Sequence, residues 1–245
     1  MPHFFIKKEN IFENEIVIQS NDDNYGHLVK SLRIKSGETV LFIDENEIEY
    51  NTIIDKIDKK HLSAKIISFE KSKRDLPYNL YLAQAPLRSE AQSVIIEKST
   101  ELGVRGIYPI YTDNCVQKKE VIRNKIVKWQ TIMYEASKQC ERANIPKCFP
   151  LSDIETLISD NFFNRVFAMC EKNTNSSLRE YLSKNPVKER ENILLIIGPE
   201  GGFSDREFEL MKKSNLPMLS LGDLILKAET AVIVALGNIV YEFGK

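Results

Sequence analysis

Asn192-Ile-Leu-Leu-Ile-Ile-Gly-Pro-Glu-Gly-Gly-Phe-Ser-Asp-Arg-Glu207 holds a strand, a loop and a helix start in one continuous run. Ile193 to Ile197 are five apolar residues without alternation, the pattern of a strand covered on both faces in a parallel sheet. Gly198-Pro199-Glu200-Gly201-Gly202-Phe203 then turns sharply, because glycine lets backbone come close to a ligand and proline stiffens the bend. Ser204 with Glu207 three residues on forms a capping box that opens a helix. Ligands of open α/β sheets bind beyond the carboxyl ends of the strands, so this loop is the first candidate site. It lacks the Lys-Ser/Thr ending of a P-loop and the G-x-G-x-x-G spacing of a dinucleotide fold, which argues against ATP and NAD.

A second unit of the same kind follows. Leu216-Pro-Met-Leu-Ser-Leu-Gly222 reads as a short strand ending in glycine, and Asp223-Leu-Ile-Leu-Lys-Ala-Glu-Thr-Ala231 leads into the last helix. Each loop alone could be a tight turn. Two after consecutive strands can form two walls of one pocket.

Outward from this core the chain alternates between strand and helix. Lys71-Ser-Lys-Arg-Asp-Leu-Pro77 is polar and closed by proline, a domain boundary. Beyond it come a strand at Asn79–Ala83, a helix from a Ser89/Gln92 capping box to about Leu102, and a strand at Gly106–Ile110. A long helix runs from Val121 to Arg142, with Ile122, Ile126, Trp129, Met133, Ala136 and Cys140 as its buried seam. Glu135, Gln139 and Arg142 step by 4 and 3 and so share one helix face. Ser152/Glu155 and Ser177/Glu180 cap two short helices, and Arg165–Cys170 is a strand ending near Glu171. The last helix, Thr230 to about Phe243, is apolar nearly all round. Lys98 stands on an otherwise apolar stripe and is expected to snorkel or to pair with Glu101.

Before the boundary the pattern is of short strands: Phe4–Ile6, Ile16–Ile18, Thr39–Ile43, and a hairpin of Asn51–Ile57 with Leu62–Phe69 around Asp58-Lys-Lys-His61. Asn24-Tyr-Gly26 reads as a turn and His27–Arg33 as one short helix. A small, partly closed barrel fits these elements.

At 245 residues, 42% hydrophobic and 28% charged, the chain has the composition of a globular protein of one or two domains. No run has the length of a membrane span, and Met1 to Lys8 lacks the order of a signal peptide, so a cytoplasmic location is expected without membrane partners. Cys115, Cys140, Cys148 and Cys170 form no C-x-x-C pair, and no metal is expected. The net charge of −1 conceals a cluster: from Lys118 to Lys147 eight Lys or Arg stand against three Glu. This is either a solvated helix surface or a landing surface for phosphates.

The two glycine-bearing segments, Ile197-Gly-Pro-Glu-Gly-Gly-Phe203 and Leu221-Gly-Asp-Leu-Ile-Leu-Lys-Ala-Glu-Thr-Ala231, resemble the signature loops of the RsmE family. These are small-subunit ribosomal RNA uridine-N3 methyltransferases of the SPOUT class. Glu97-Lys-Ser-Thr-Glu-Leu-Gly-Val104, Glu135-Ala-Ser-Lys-Gln-Cys-Glu-Arg142 and His27-Leu-Val-Lys-Ser-Leu-Arg33 are similar to further motifs of that family. The resemblance implies an α/β fold: a SPOUT-type trefoil-knotted parallel sheet at 73–245, preceded by a small PUA-like β-barrel RNA-binding domain at 1–72. It also implies a homodimer in which part of the last helix is covered, and 16S rRNA or the 30S subunit as partner, with uracil 1498 as acceptor.

S-adenosyl-L-methionine is the implied donor, held by Glu171, Ile197, Gly198, Glu200, Gly201, Gly202, Leu221, Gly222, Leu226 and Thr230. Arg142 and Lys227 are candidates for stabilising the uracil anion, and Glu229 for taking the proton, although Glu229 could instead cap the last helix. Three positions depart from the family pattern: His3, Leu224 and Lys227 stand where it usually carries arginine. A different SPOUT-type RNA methyltransferase and a non-catalytic ribosome-associated RNA-binding protein are the alternatives.

Overall fold

The computed structural model describes residues 3–174 and 176–244. Met1 and Pro2, part of the start read against a signal peptide, lie outside the described residues. The chain divides into two compact units, Met1–Asp75 with Lys138–Asn144, and Leu76–Ser137 with Ile145–Lys245.

In the first unit the elements are β1 (His3–Phe5), β2 (Ile11–Phe12), β3 (Glu15–Gln19), α1 (Asp23–Gly26), β4 (Thr39–Ile43), β5 (Ile48–Ile57) and β6 (His61–Lys71). The strands form one sheet in the order β1-β4-β5-β6-β3-β2, antiparallel except for β1 beside β4. The β5–β6 hairpin turns where expected, because the Asp58 carboxylate accepts from Lys60 N and His61 N at 2.8 and 3.0 Å. Those donors hold the Asp58 carboxyl down to about 2. Asn24-Tyr-Gly26 is helical rather than a plain turn, capped by Asp22, and His27–Ser31 continues it as a π-type turn.

Lys138–Asn144 joins this unit through local contacts. Ala143 packs with Leu41 and Ile43, Arg142 donates to Asp75 at 3.2 Å, and Asn144 donates to Glu47 at 3.2 Å. His3 is buried edge-on to Phe5, and burial, aided by the Arg74 charge, pushes its pKa down. It is thus a neutral core side chain, whereas Lys7 and Lys8 are exposed.

The second unit comprises β7 (Asn79–Gln84), α2 (Ser89–Glu101), β8 (Gly106–Pro109), α3 (Lys119–Gln139), β9 (Lys147–Cys148), α4 (Ile154–Ile158), β10 (Arg165–Met169), β11 (Ser176–Ser177), α5 (Leu178–Lys184), β12 (Asn192–Ile197), α6 (Asp205–Lys213), β13 (Met218–Ser220) and α7 (Ala228–Phe243). Its strands form an all-parallel sheet in the order β11-β13-β10-β12-β7-β8-β9.

The unalternating run in β12 has the expected cause. Ile193, Leu195 and Ile197 face a core with residues of α2, α3, α5 and α7, while Leu194 and Ile196 face one with α4 and α6. Burying each such side chain contributes about 1.5–3 kcal/mol, so the doubly covered strand anchors the sheet.

Four local expectations are corrected. Arg88, not Ser89, is the N-cap of α2, because Gln92 Oε1 is engaged by Leu87 N at 2.8 Å. Asp153, not Ser152, caps α4 by accepting from Thr156 N. The long helix ends at Gln139, and Glu141 takes a φ of 56°, so Arg142 leaves the helix and does not share a face with Glu135 and Gln139. The last helix begins at Ala228 and is only partly enclosed: Asn238, Tyr241 and Glu242 are exposed. Lys98 behaves as expected, donating to Glu101 at 2.8 Å and also to Glu97 at 2.7 Å.

Candidate active site

β13 and β12 lie on either side of β10, so the carboxyl ends of three neighbouring parallel strands open onto one place. The chain leaves β10 through Cys170 and Glu171, β12 through Gly198–Phe203, and β13 through Leu221–Lys227. These segments, with Ala91 of α2 and the first turn of α7, line a cavity of about 600 Å³. That volume is within the usual range for a cofactor pocket.

The glycines make the walls possible. Gly202 has a φ of +67°, and a Cβ there would lie 2.9 Å from Glu171 Oε1, so the backbone of one wall runs directly against the carboxylate of another. Gly222 has a φ of +128° with open space where a Cβ would project. Past the first loop the capping box forms as expected: Ser204 Oγ accepts from Glu207 N at 3.2 Å, and Glu207 Oε2 from Ser204 N at 2.8 Å. Glu207 is 2% exposed, and its other oxygen accepts from Asp113 N at 2.9 Å. The Asp113 carboxylate accepts from both Arg206 and Ser204 Oγ, and these bonds hold its pKa below the ordinary Asp value.

Of the anticipated residues, Glu171, Ile197, Gly198, Glu200, Gly201, Gly202, Leu221, Gly222, Leu226, Lys227 and Glu229 line the cavity. Thr230 does not; it is exposed on the first turn of α7. Arg142 does not either, and lies in the first unit beside Asp75. Lys227 is the N-cap of α7, without a side-chain capping bond, which leaves Glu229 in the first turn rather than at the cap.

Pro199, Phe203, Asp223, Leu224 and Ile225 of the two glycine-bearing loops also line the cavity, as do Met169 and Cys170, to which the sequence gives no site role. Most of them adjoin residues singled out from the sequence, so the signal was contiguity; Ala91 gave none. Burial, with the charge of Glu171, pushes the Cys170 thiol up to about 12, so it is inert at neutral pH. The lining includes four carboxylate residues (Glu171, Glu200, Asp223, Glu229) and one lysine (Lys227). The wall favours a cationic ligand. Among the described residues no group of three or more His, Cys, Asp or Glu is placed to hold a metal ion.

Residues 74–240 match the model of an RNA methyltransferase domain, and residues 21–67 match an RNA methyltransferase PUA domain. The ribosomal RNA small subunit methyltransferase E of Buchnera aphidicola subsp. Acyrthosiphon pisum is 33% identical over 91% of this chain and 87% of its own length. The chain belongs to that methyltransferase family. The Bacillus subtilis member is 24% identical over 99% of this chain and 97% of its own. A Legionella pneumophila methyltransferase solved with its cofactor SAM has 27% identity, a TM-score of 0.82, and coverage of 98% of this chain and 97% of its own. The Neisseria gonorrhoeae family member, at 21% identity and a TM-score of 0.81 over 98% and 97% of the two chains, shares the fold. The α/β second unit and the PUA domain before it are therefore those of an RNA methyltransferase. Among the described residues no helix is long and apolar enough to cross a membrane.

Proposed function

We propose that this chain transfers a methyl group from S-adenosyl-L-methionine to N3 of one uridine in small-subunit ribosomal RNA, the equivalent of uracil 1498. The observation that carries the reading is the single cavity walled by both glycine-bearing loops. Its residues fit the donor: the volume suffices, Gly202 lets the loop backbone run close against Glu171, and four carboxylate residues in the lining suit an ammonium and a sulfonium. S-adenosyl-L-methionine supplies a methyl group already activated by its sulfonium, so no metal is needed.

The protein's own part is positioning and electrostatics. Backbone groups of Gly198–Gly202 and Leu221–Leu226 cradle the adenosine and methionine portions, and Glu171 and Glu200 accept from their polar hydrogens. Uridine N3 carries a proton at neutral pH and is occupied in base pairing, so the RNA must present it unpaired. Lys227 stabilises the uracil anion as it forms, and Glu229, two residues on, takes the proton. The segment 1–72 serves as the RNA-binding domain and 73–245 as the catalytic one, in the cytoplasm with the ribosomal subunit as partner.

The reading carries two further parts. The trefoil knot rests on the resemblance of the two glycine-bearing loops to those of the SPOUT class. The homodimer is supported by α7, a mainly apolar helix on which Tyr241 stands 89% exposed between Asn238 and Glu242. Light scattering at the mass of one chain would remove the dimer.

Purified protein, methyl-labelled donor and small subunits from a strain lacking the gene form the test. Label is expected in 3-methyluridine after hydrolysis to nucleosides. Label in a ribose or in another base would overturn the assignment, and no label with either subunits or free RNA would favour a non-catalytic RNA-binding protein.

A further inference from the structure

Asn114 lies on the loop after β8, outside both glycine-bearing loops, yet it holds one of them. Its Nδ2 donates to Gly201 O at 3.2 Å and to Gly202 O at 3.1 Å. The approach is close: a Cβ on Gly201 would stand 3.2 Å from Asn114 Cβ. The neighbouring residue holds the chain just beyond, since Asp113 N donates to Glu207 and the Asp113 carboxylate accepts from Ser204 and Arg206 at the start of α6. On the far side Gly202 abuts Glu171. The loop is thus held along its second half, from Gly201 into the start of α6, and abuts the opposite wall of the cavity.

We infer that Asn114 is a positioning residue, which presets the Gly198–Gly202 backbone in its donor-binding shape before the donor arrives. The inference rests on the reading of the cavity as the S-adenosylmethionine site. Two adjacent carbonyls need a donor between them, and one amide nitrogen with two hydrogens meets both. A loop ordered in advance binds more tightly, because its ordering entropy is not charged to the ligand. Asn114 does not line the cavity, so its effect falls on donor affinity and much less on the chemical step.

The test compares Asn114→Ala with Asn114→Asp in the full-length protein. S-adenosylmethionine binding is measured by calorimetry, kcat at saturating donor by methyl transfer, and exchange of the backbone amides of 198–203 in the donor-free protein. Asn114→Ala is expected to weaken donor binding roughly tenfold, as the loss of two modest hydrogen bonds implies. Its kcat should stay within about twofold, and exchange should rise in 198–203 but not in β12. Asn114→Asp, nearly the same shape but an acceptor facing two acceptors, should bind worse than Asn114→Ala. A purely packing role predicts the reverse order, and that order, or unchanged affinity in both variants, would overturn the inference alone. Failure of the wild-type protein to bind the donor would overturn the cavity reading with it.

Discussion

Gly202 stands so close to Glu171 that a methyl group replacing its hydrogen would lie 2.9 Å from Glu171 Oε1. With its φ of +67°, Gly202 is held by backbone conformation, and a side chain there would have to swing the Glu171 carboxylate out of its place on the cavity wall. Gly202→Ala is expected to lose donor binding by at least tenfold and about 1–2 kcal/mol of stability. Gly222→Ala has no such neighbour, although its φ of +128° still strains an alanine, so it should show the stability loss with the smaller loss of affinity. Calorimetry and thermal melts of the two variants check the contrast, and equal losses of affinity would contradict it.

Lys227→Ala should lower kcat by about 100-fold or more while donor affinity changes little, as for loss of one group stabilising a developing anion. Glu229→Gln should flatten the acid limb of the pH–rate profile if it takes the N3 proton. An unaltered profile in Glu229→Gln would move the base elsewhere.

Asp113 gives a pH dependence. Its bonds from Arg206 and Ser204 depress its pKa below the ordinary 3.8, so the tether's stabilisation is present above that value and is lost as the pH falls through the depressed one. The difference in melting temperature between wild type and Asp113→Asn should be constant from neutral pH down to the Asp range, then shrink in stronger acid. A difference that instead grew in acid would contradict the assignment.

Leu224 is 82% exposed at the cavity, in place of the arginine implied by the family resemblance. Leu224→Arg should leave the melting temperature nearly unchanged, because nothing packed is removed. RNA binding should tighten, with a salt dependence steeper by about one charge, in filter binding across a salt series. An unchanged slope would show that position 224 does not meet the RNA backbone.

Sequence pattern was strongest where burial was two-sided. The β12 run could be read without a partner because every residue from Ile193 to Ile196 is buried. The capping box at Ser204 was legible because both its members are local. The same pattern failed at Ser89, where Leu87 N captured Gln92, and at Ser152, where Asp153 stands one residue closer to the helix. The shared face of Arg142 with Glu135 and Gln139 fails because helical periodicity carries no stop signal at Gln139; the positive φ of Glu141 breaks the register. Asn114 was invisible for a different reason, since its partners are 87 and 88 residues away. The chemistry itself came from the resemblance of the two loops, not from periodicity.

The central claim is that this cavity aims a methyl group at uridine N3, where methylation blocks base pairing. Primer extension on small-subunit RNA from cells with and without the gene measures that directly. The account predicts a reverse-transcriptase stop at the target uridine that vanishes on deletion, returns with the wild-type gene and does not return with Lys227→Ala; a stop that persists in the deletion strain would contradict it.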